Sequence, residues 1–144
     1  MAYANRTELE LMFGKTNIEE WADLDGDKSD ATIASRIAAA LDYADGEINS
    51  RLRMTMYTLP LVKRNTTSTV PREIVDIAKR FAAVWLYESR GVREIDPETG
   101  RPVHRLFWQK KHANEMLNEI ASFVRHLDCE LSATPVPEAV TEDG

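Results

Sequence analysis

The strongest constraint on this chain is one unbroken apolar stripe between Ala31 and Arg53. Ile33, Ile37, Leu41, Ala44, Ile48 and Leu52 follow one another at spacings of four, four, three, four and four. Residues three and four apart share one face of an α-helix, so the segment reads as a long amphipathic helix. Such a helix draws most of its stability from burying that face against another element, which commits the rest of the chain to supplying a partner. Ala38, Ala39 and Ala40 leave room for a neighbour at close range, and Gly46 interrupts the helix at a cost of about 1 kcal/mol relative to alanine.

Two further segments supply partners. From Pro71, a residue suited to the first helical position, a helix is expected to run to about Arg90. Ile74, Ile77, Ala78, Phe81, Trp85 and Leu86 form its apolar face and Gly91 its stop. A last long helix is expected from about His104 to Leu127, with Ala113, Met116, Leu117, Ile120, Phe123, Val124 and Leu127 as its stripe. A short N-terminal helix carries Leu9, Met12 and Phe13 on one face, with Thr7 and Glu10 as a capping box and Gly14 as its end. Asn17 and Glu20 repeat the capping pattern over a short turn with Trp21, and Asp30 is placed to cap the long helix. Between the helices, Met54 to Leu61 reads as extended, Lys63 to Thr69 as a polar loop, and Asp96-Pro97-Glu98-Thr99-Gly100 as a turn followed by Pro102. The expected fold is mainly α: a small bundle of three long helices plus a short N-terminal one, with an extended loop or hairpin segment. Residues 1–131 form one helical domain, and 132–144, with Pro135, Pro137 and an acidic end, read as an extended tail.

At 144 residues the chain suffices for one sizeable core and is short for two domains. No apolar run reaches the roughly 20 residues that span a bilayer, and the N-terminus lacks the apolar region of a secretory signal; a cytosolic setting without membrane is expected. The net charge of −6 conceals a segregation. Residues 1–50 hold four basic and eleven acidic side chains, a balance of −7, while 51–125 hold fourteen and eight, a balance of +6. Residues 126–144 hold five acids and no Lys or Arg. Blocks of opposite sign either face one another between subunits, fixing register, or form neighbouring faces of one monomer.

Motifs that carry chemistry are scarce. Asp23-Leu24-Asp25-Gly26-Asp27 resembles the start of a calcium loop, but from Asp23 position 6 is Lys28 and position 12 is Ala34, where glycine and a bidentate glutamate are required. Asp23, Asp25 and Asp27 remain a weak cation candidate; no other metal and no cofactor is indicated. His112 and Glu115 lie three apart without a second copy of the pair. Cys129 stands alone between Asp128 and Glu130, neighbours that oppose thiolate formation. There is no phosphate loop, nucleophile elbow or Cys-x-x-Cys, so no enzyme is expected. Trp21, Trp85 and Trp108 read as buried core or interface anchors. Arg101, Arg105, Lys110 and Lys111 around Trp108 form a basic stripe that suits either phosphate or plain solvent.

The order of several segments carries a resemblance. The Met-Ala-Tyr-Ala start, the Leu9–Phe13 helix ending at Gly14 and the Trp21–Asp27 turn are followed by the alanine-rich helix with Ala44-Asp45-Gly46-Glu47-Ile48. Tyr57-Thr58-Leu59-Pro60-Leu61, Val70-Pro71, Asp76-Ile77-Ala78 and Trp85-Leu86-Tyr87 come next. Over residues 1–127 this resembles the small head–tail connector (adaptor or head-completion) proteins of tailed bacteriophages of the Mu-like group. The resemblance implies a homo-oligomeric ring, usually of twelve copies, bound below the portal protein at the virion neck and made in the host cytoplasm. Such a ring extends the channel through which genomic DNA passes without sequence-specific binding, docks a tail-terminator or stopper protein, and has no catalytic residues. The chain departs from the pattern in the Arg90–Pro102 segment and the acidic tail. Interface candidates are then Arg51 and Arg53, the extended Tyr57, Leu59 and Leu61, Arg93 and Arg101 in the departing loop, and Val136 and Val140 in the tail. Tyr57, Leu59 and Leu61 have a second reading, as cover for the end of the bundle. The alternative function is a small helical regulatory module contacting protein or DNA through the basic helix.

Overall fold

The computed structural model describes residues 2–61, 70–90, 94–123, 125–127 and 129. Within them lie five helices: α1 (Arg6–Phe13), α2 (Lys15–Ala22), α3 (Asp30–Leu52), α4 (Arg72–Ser89) and α5 (Phe107–Ala121). A short antiparallel hairpin, β1 (Glu94–Ile95) and β2 (Pro102–Val103), joins α4 to α5, with Glu94 opposite Val103 and Ile95 opposite Pro102. The mainly helical fold is as the periodicity predicts. The Lys63–Thr69 loop, Gly91, Val124 and the tail from 132 lie outside the described residues.

The two longest helices form the central pair, α3 against α4, and α5 packs on α4 and more lightly on α3. Ala40 and Ala44 of α3 and Ala78 and Ala82 of α4 are fully buried, so the pair is rich in residues small enough for two backbones to come close. Ala38 and Ala39, expected to make that room, are exposed; Ala40 sits on the buried side with Ile37 and Leu41. α4 is covered on more sides than an ordinary surface helix: Ile74, Ile77, Ala78, Phe81, Ala82, Ala83, Val84, Leu86 and Tyr87 are all buried. Trp85, expected on the buried face, is only half-buried; it stacks on Tyr43 at 6.2 Å beneath the Arg36 guanidinium at 4.7 Å.

The helix ends differ from expectation because the side chains that satisfy them lie one to three residues away. α1 begins with a capping box of Asn5 and Glu8, not Thr7 and Glu10: Glu8 N donates to Asn5 Oδ1 at 2.8 Å and Asn5 N to Glu8 Oε1 at 3.0 Å. Gly14 ends α1 as predicted and also begins α2, at φ 92°. Only glycine takes that backbone without strain, and it lets two short helices turn at a single residue. Asn17 caps nothing ahead of it; its Nδ2 donates back to Phe13 O at 2.9 Å. Ser29, not Asp30, caps α3, and Pro71 stands at the cap of α4 rather than inside it.

The largest correction concerns α5, which starts at Phe107 and stops at Ala121, six residues before Leu127. Ser122 ends it by returning its N–H to Asn118 O at 3.0 Å and its hydroxyl to Asn118 O at 2.9 Å. Phe123 then turns the chain in the left-handed region at φ 61°. The stripe misleads because Leu127 is still core, reached by a bent path: its N–H donates to Tyr57 Oη at 2.8 Å, and the Tyr57 ring stacks on Phe123 at 5.5 Å.

The extended segment is likewise built into the core. Tyr57 is 4% exposed and Leu61 0%, with Leu59 half-buried. Tyr3 Oη accepts the Leu61 N–H at 2.8 Å and donates to Asn49 on α3, while Tyr3 N donates to Asp45 Oδ1 at 2.9 Å. Two tyrosine hydroxyls thus tie the N-terminus, the 55–61 segment and the exit of α5 to one end of the bundle. Replacing Tyr3 by Phe strands the buried Leu61 N–H, and such a loss costs about 1–3 kcal/mol. Urea unfolding of Tyr3→Phe is expected to show a lower midpoint at unchanged m-value, with Thr7→Ala, away from any cap bond, near wild type.

Candidate interaction surface

The exposed large apolar side chains lie on α5, on α1 and the turn after α2, at Tyr43 of α3, at Met54 and Met56 after α3, and at Ile95 in the hairpin. On the α5 flank, Trp108 is 71% exposed and Phe107 51%, their rings edge to face at 5.3 Å. Trp108 is therefore not the buried anchor its type suggests. Helical geometry explains why: the buried stripe runs through Leu106, Ala113, Leu117 and Ile120, and at about 100° per residue Phe107 and Trp108 fall well over 90° from its centre. Lys111 Nζ lies over the Trp108 ring at 5.2 Å, an arrangement favoured by the ring quadrupole. A shallow groove of about 370 Å³ beside them is lined by Arg80, Gln109, Lys111, His112 and Glu115, with Arg80 donating to Gln109 Oε1.

This face is held in place by a charged clamp. Glu88, at the end of α4, accepts from His104 Nε2 and Lys110 Nζ, both at 2.9 Å. Leu106 N donates to His104 Nδ1 at 3.1 Å, which assigns the His104 proton to Nε2. Burial pushes the Glu88 carboxyl up, but the hydrogen bonds from Lys110 and His104, with the Lys110 charge, outweigh it and hold the group below its ordinary value. Tyr87 completes the joint, its ring against Trp21 at 5.6 Å and His104 at 5.0 Å, with Arg105 N donating to its hydroxyl at 3.3 Å. A cleft of about 430 Å³ opens beside it between Phe13, Trp21, Arg105 and Leu106.

The other flank is acidic. Residues 2–30 hold eight acidic and three basic side chains. Leu11 is 82% exposed on α1 and Leu24 45% in the turn after α2. Between α2 and α3 a cleft of about 470 Å³ is lined by Glu19, Glu20, Asp23, Lys28, Asp30 and Ile33. The aspartates of the turn are spent on local structure: Asp23 Oδ2 accepts Lys28 N at 3.1 Å, and Asp27 Oδ1 accepts Ser29 N at 3.0 Å. Among the described residues no three His, Cys, Asp or Glu side chains gather as a metal site, so Asp23, Asp25 and Asp27 are not brought together as their spacing suggested. Among those residues no helix is long and apolar enough to cross a membrane.

The other sequence candidates separate cleanly. Tyr57 and Leu61 are not exposed docking groups but core, because their backbone and hydroxyl bonds draw the segment inward. Arg51 is occupied inside the chain: it pairs with Glu47 at 3.3 Å and donates to Asn118 Oδ1 at 2.9 Å and to Asn114, joining α3 to α5. Arg53 is exposed, beside Met54 at 73% and Met56 at 36%, two apolar groups that sequence reasoning passed over. Arg101 is exposed on the hairpin turn with Ile95 at 62%. Arg93, Val136 and Val140 lie outside the described residues. Cys129 is buried, as a structural cysteine is.

Fold and surface together define a small helical bundle with a basic aromatic flank and an acidic flank. The chain matches the family described as bacteriophage Mu, Gp36, over residues 3–142. It belongs to that family, which makes it a protein of the phage Mu type. No curated protein matches it.

The clamp makes a direct prediction. In Lys110→Ala, the carboxyl of Glu88 loses its main hydrogen-bonding cation and its titration midpoint is expected to rise, followed by carbon-detected NMR. Because the folded midpoint in the wild type is depressed, the clamp's contribution is full above the unfolded carboxyl range. It is lost as pH falls through the folded value.

Proposed function

We propose that this chain is a structural connector of the phage neck, a ring-forming adaptor that sits below the portal protein, extends the DNA channel and presents a platform for the tail-terminator or stopper protein. The observation that carries the reading is the family match across residues 3–142, and the separation of charge supports it. A ring of identical copies needs two different patches on each subunit, and here a basic and an acidic flank stand on one small bundle. An acidic channel lining would let DNA pass without adhesion, since phosphates meet like charge. Twelve copies is the number the resemblance implies.

The exposed Trp108 beside Lys111 and Arg80 favours one other reading, a helical module that grips nucleic acid through stacking and phosphate contacts. Its signature is affinity that falls steeply with salt.

Cryo-electron microscopy of the assembly that copurifies with the chain separates the two. The expected result is a rotationally symmetric ring around a channel, between a portal and a tail. A chain that remains monomeric with and without portal, and binds DNA in a salt-dependent manner, replaces the connector with the binding module.

A further inference from the structure

We infer that the contact between neighbouring copies is made by the Phe107–Trp108 knob of one subunit seated in the acidic cleft between α2 and α3 of the next; this rests on the ring reading above. The two surfaces are complementary in three respects. The knob is aromatic and exposed, with Trp108 at 71% and Phe107 at 51%, and the cleft has an apolar floor in Ile33. Lys111 and Arg80 accompany the knob, whereas Glu19, Glu20, Asp23 and Asp30 rim the cleft against the single Lys28. The indole N–H is a donor with no acceptor role, and the cleft rim is rich in carboxylate acceptors.

Placement supports a second copy as the occupant. α5 packs on α3 and α4, α1 and α2 pack on each other and on α3 and α4, and neither α1 nor α2 packs against α5. Knob and cleft therefore stand on different helices, the knob on α5 and the cleft between α2 and α3, and every copy carries both. Complementary patches at different places on one molecule make a heterologous, head-to-tail contact. Its centre has the composition typical of energetic hot spots, a tryptophan with an arginine and a charged rim.

The test uses the full-length chain and sedimentation velocity across a range of concentrations and salt. Trp108→Ala removes the knob at an exposed position and leaves the cleft, while Glu20→Lys reverses charge on the cleft rim and leaves the knob. Circular dichroism melts check that both variants keep the fold. Wild type is expected to assemble, more strongly at low salt, and each variant alone to raise the dissociation constant at least about 30-fold, the range of a hot-spot truncation. An equimolar mixture of the two variants is expected to stop at heterodimers, since one intact knob and one intact cleft remain. Variants that assemble as wild type does overturn this contact and leave the ring intact. A wild type that stays monomeric throughout overturns the ring and the contact together. Loss of binding to a single-stranded oligonucleotide in Trp108→Ala, with assembly unchanged, reassigns the knob to nucleic acid. Loss of assembly on deleting residues 130–144, with Glu20→Lys unaffected, reassigns it to the acidic tail.

Discussion

The rest of the structure depends on the burial of α4. Its sequence places apolar or small residues on nearly every side, and α3, α5, α1 and α2 all pack against it. A helix of 18 residues with that distribution is unstable in water by itself and becomes a core once others surround it. Ala40 and Ala44 of α3, Ala78 and Ala82 of α4, and Ile37, Ile48, Ile74 and Ile77 are all buried almost completely. The two short N-terminal helices have little stability of their own at eight residues each. They persist because Leu9, Ile18 and Trp21 are buried in the same core.

Polar groups then decide orientation where apolar burial does not. Tyr3 and Tyr57 fix one end of the bundle through hydroxyls that accept backbone N–H groups of the 55–61 segment and of the α5 exit. At the other end Glu88 grips His104 and Lys110, so the angle at which α5 leaves the hairpin follows from an ion pair and a histidine tautomer. Glu88 is substantially exposed, so its charges contribute modestly to stability. Their larger effect is positional, because they set where Phe107 and Trp108 project.

The sequence was most legible where one physical rule acted alone. The stripes of α3 and α4 mark helices whose ends fall within one residue of expectation, since interior periodicity reports burial directly. It was least legible in the choice of capping residue, where Asn5, Ser29 and Ser122 compete with neighbours of similar type for the same orphan groups. The stripe of α5 continued past its end because Leu127 is buried by a non-helical route, which periodicity does not distinguish from a helix. Tyr57 and Leu61 admitted two readings, docking groups or cover for the bundle's end; burial decides for the second, and the bonds that draw them inward come from Tyr3 and Leu127, more than fifty residues away. The expected burial of Trp108 followed its residue type, although its phase relative to Ala113 and Leu117 already placed it on the solvent side.

Rigidity of the central pair bears on what an assembly of this chain can become. A head-to-tail contact repeated without closure gives a filament; the same contact at the right angle gives a ring. On the ring reading, with knob and cleft both carried by helices packed on the α3–α4 pair, that angle is a property of the core rather than of a hinge. Core packing tolerates little continuous deformation, so the angle is set when the monomer folds. The clamp at Glu88 then matters, on the ring reading, beyond local stability, since a small rotation at the start of α5 would shift Trp108 relative to the acidic flank in every copy. On that reading, the packed core and the exposed tryptophan belong to a single geometric requirement.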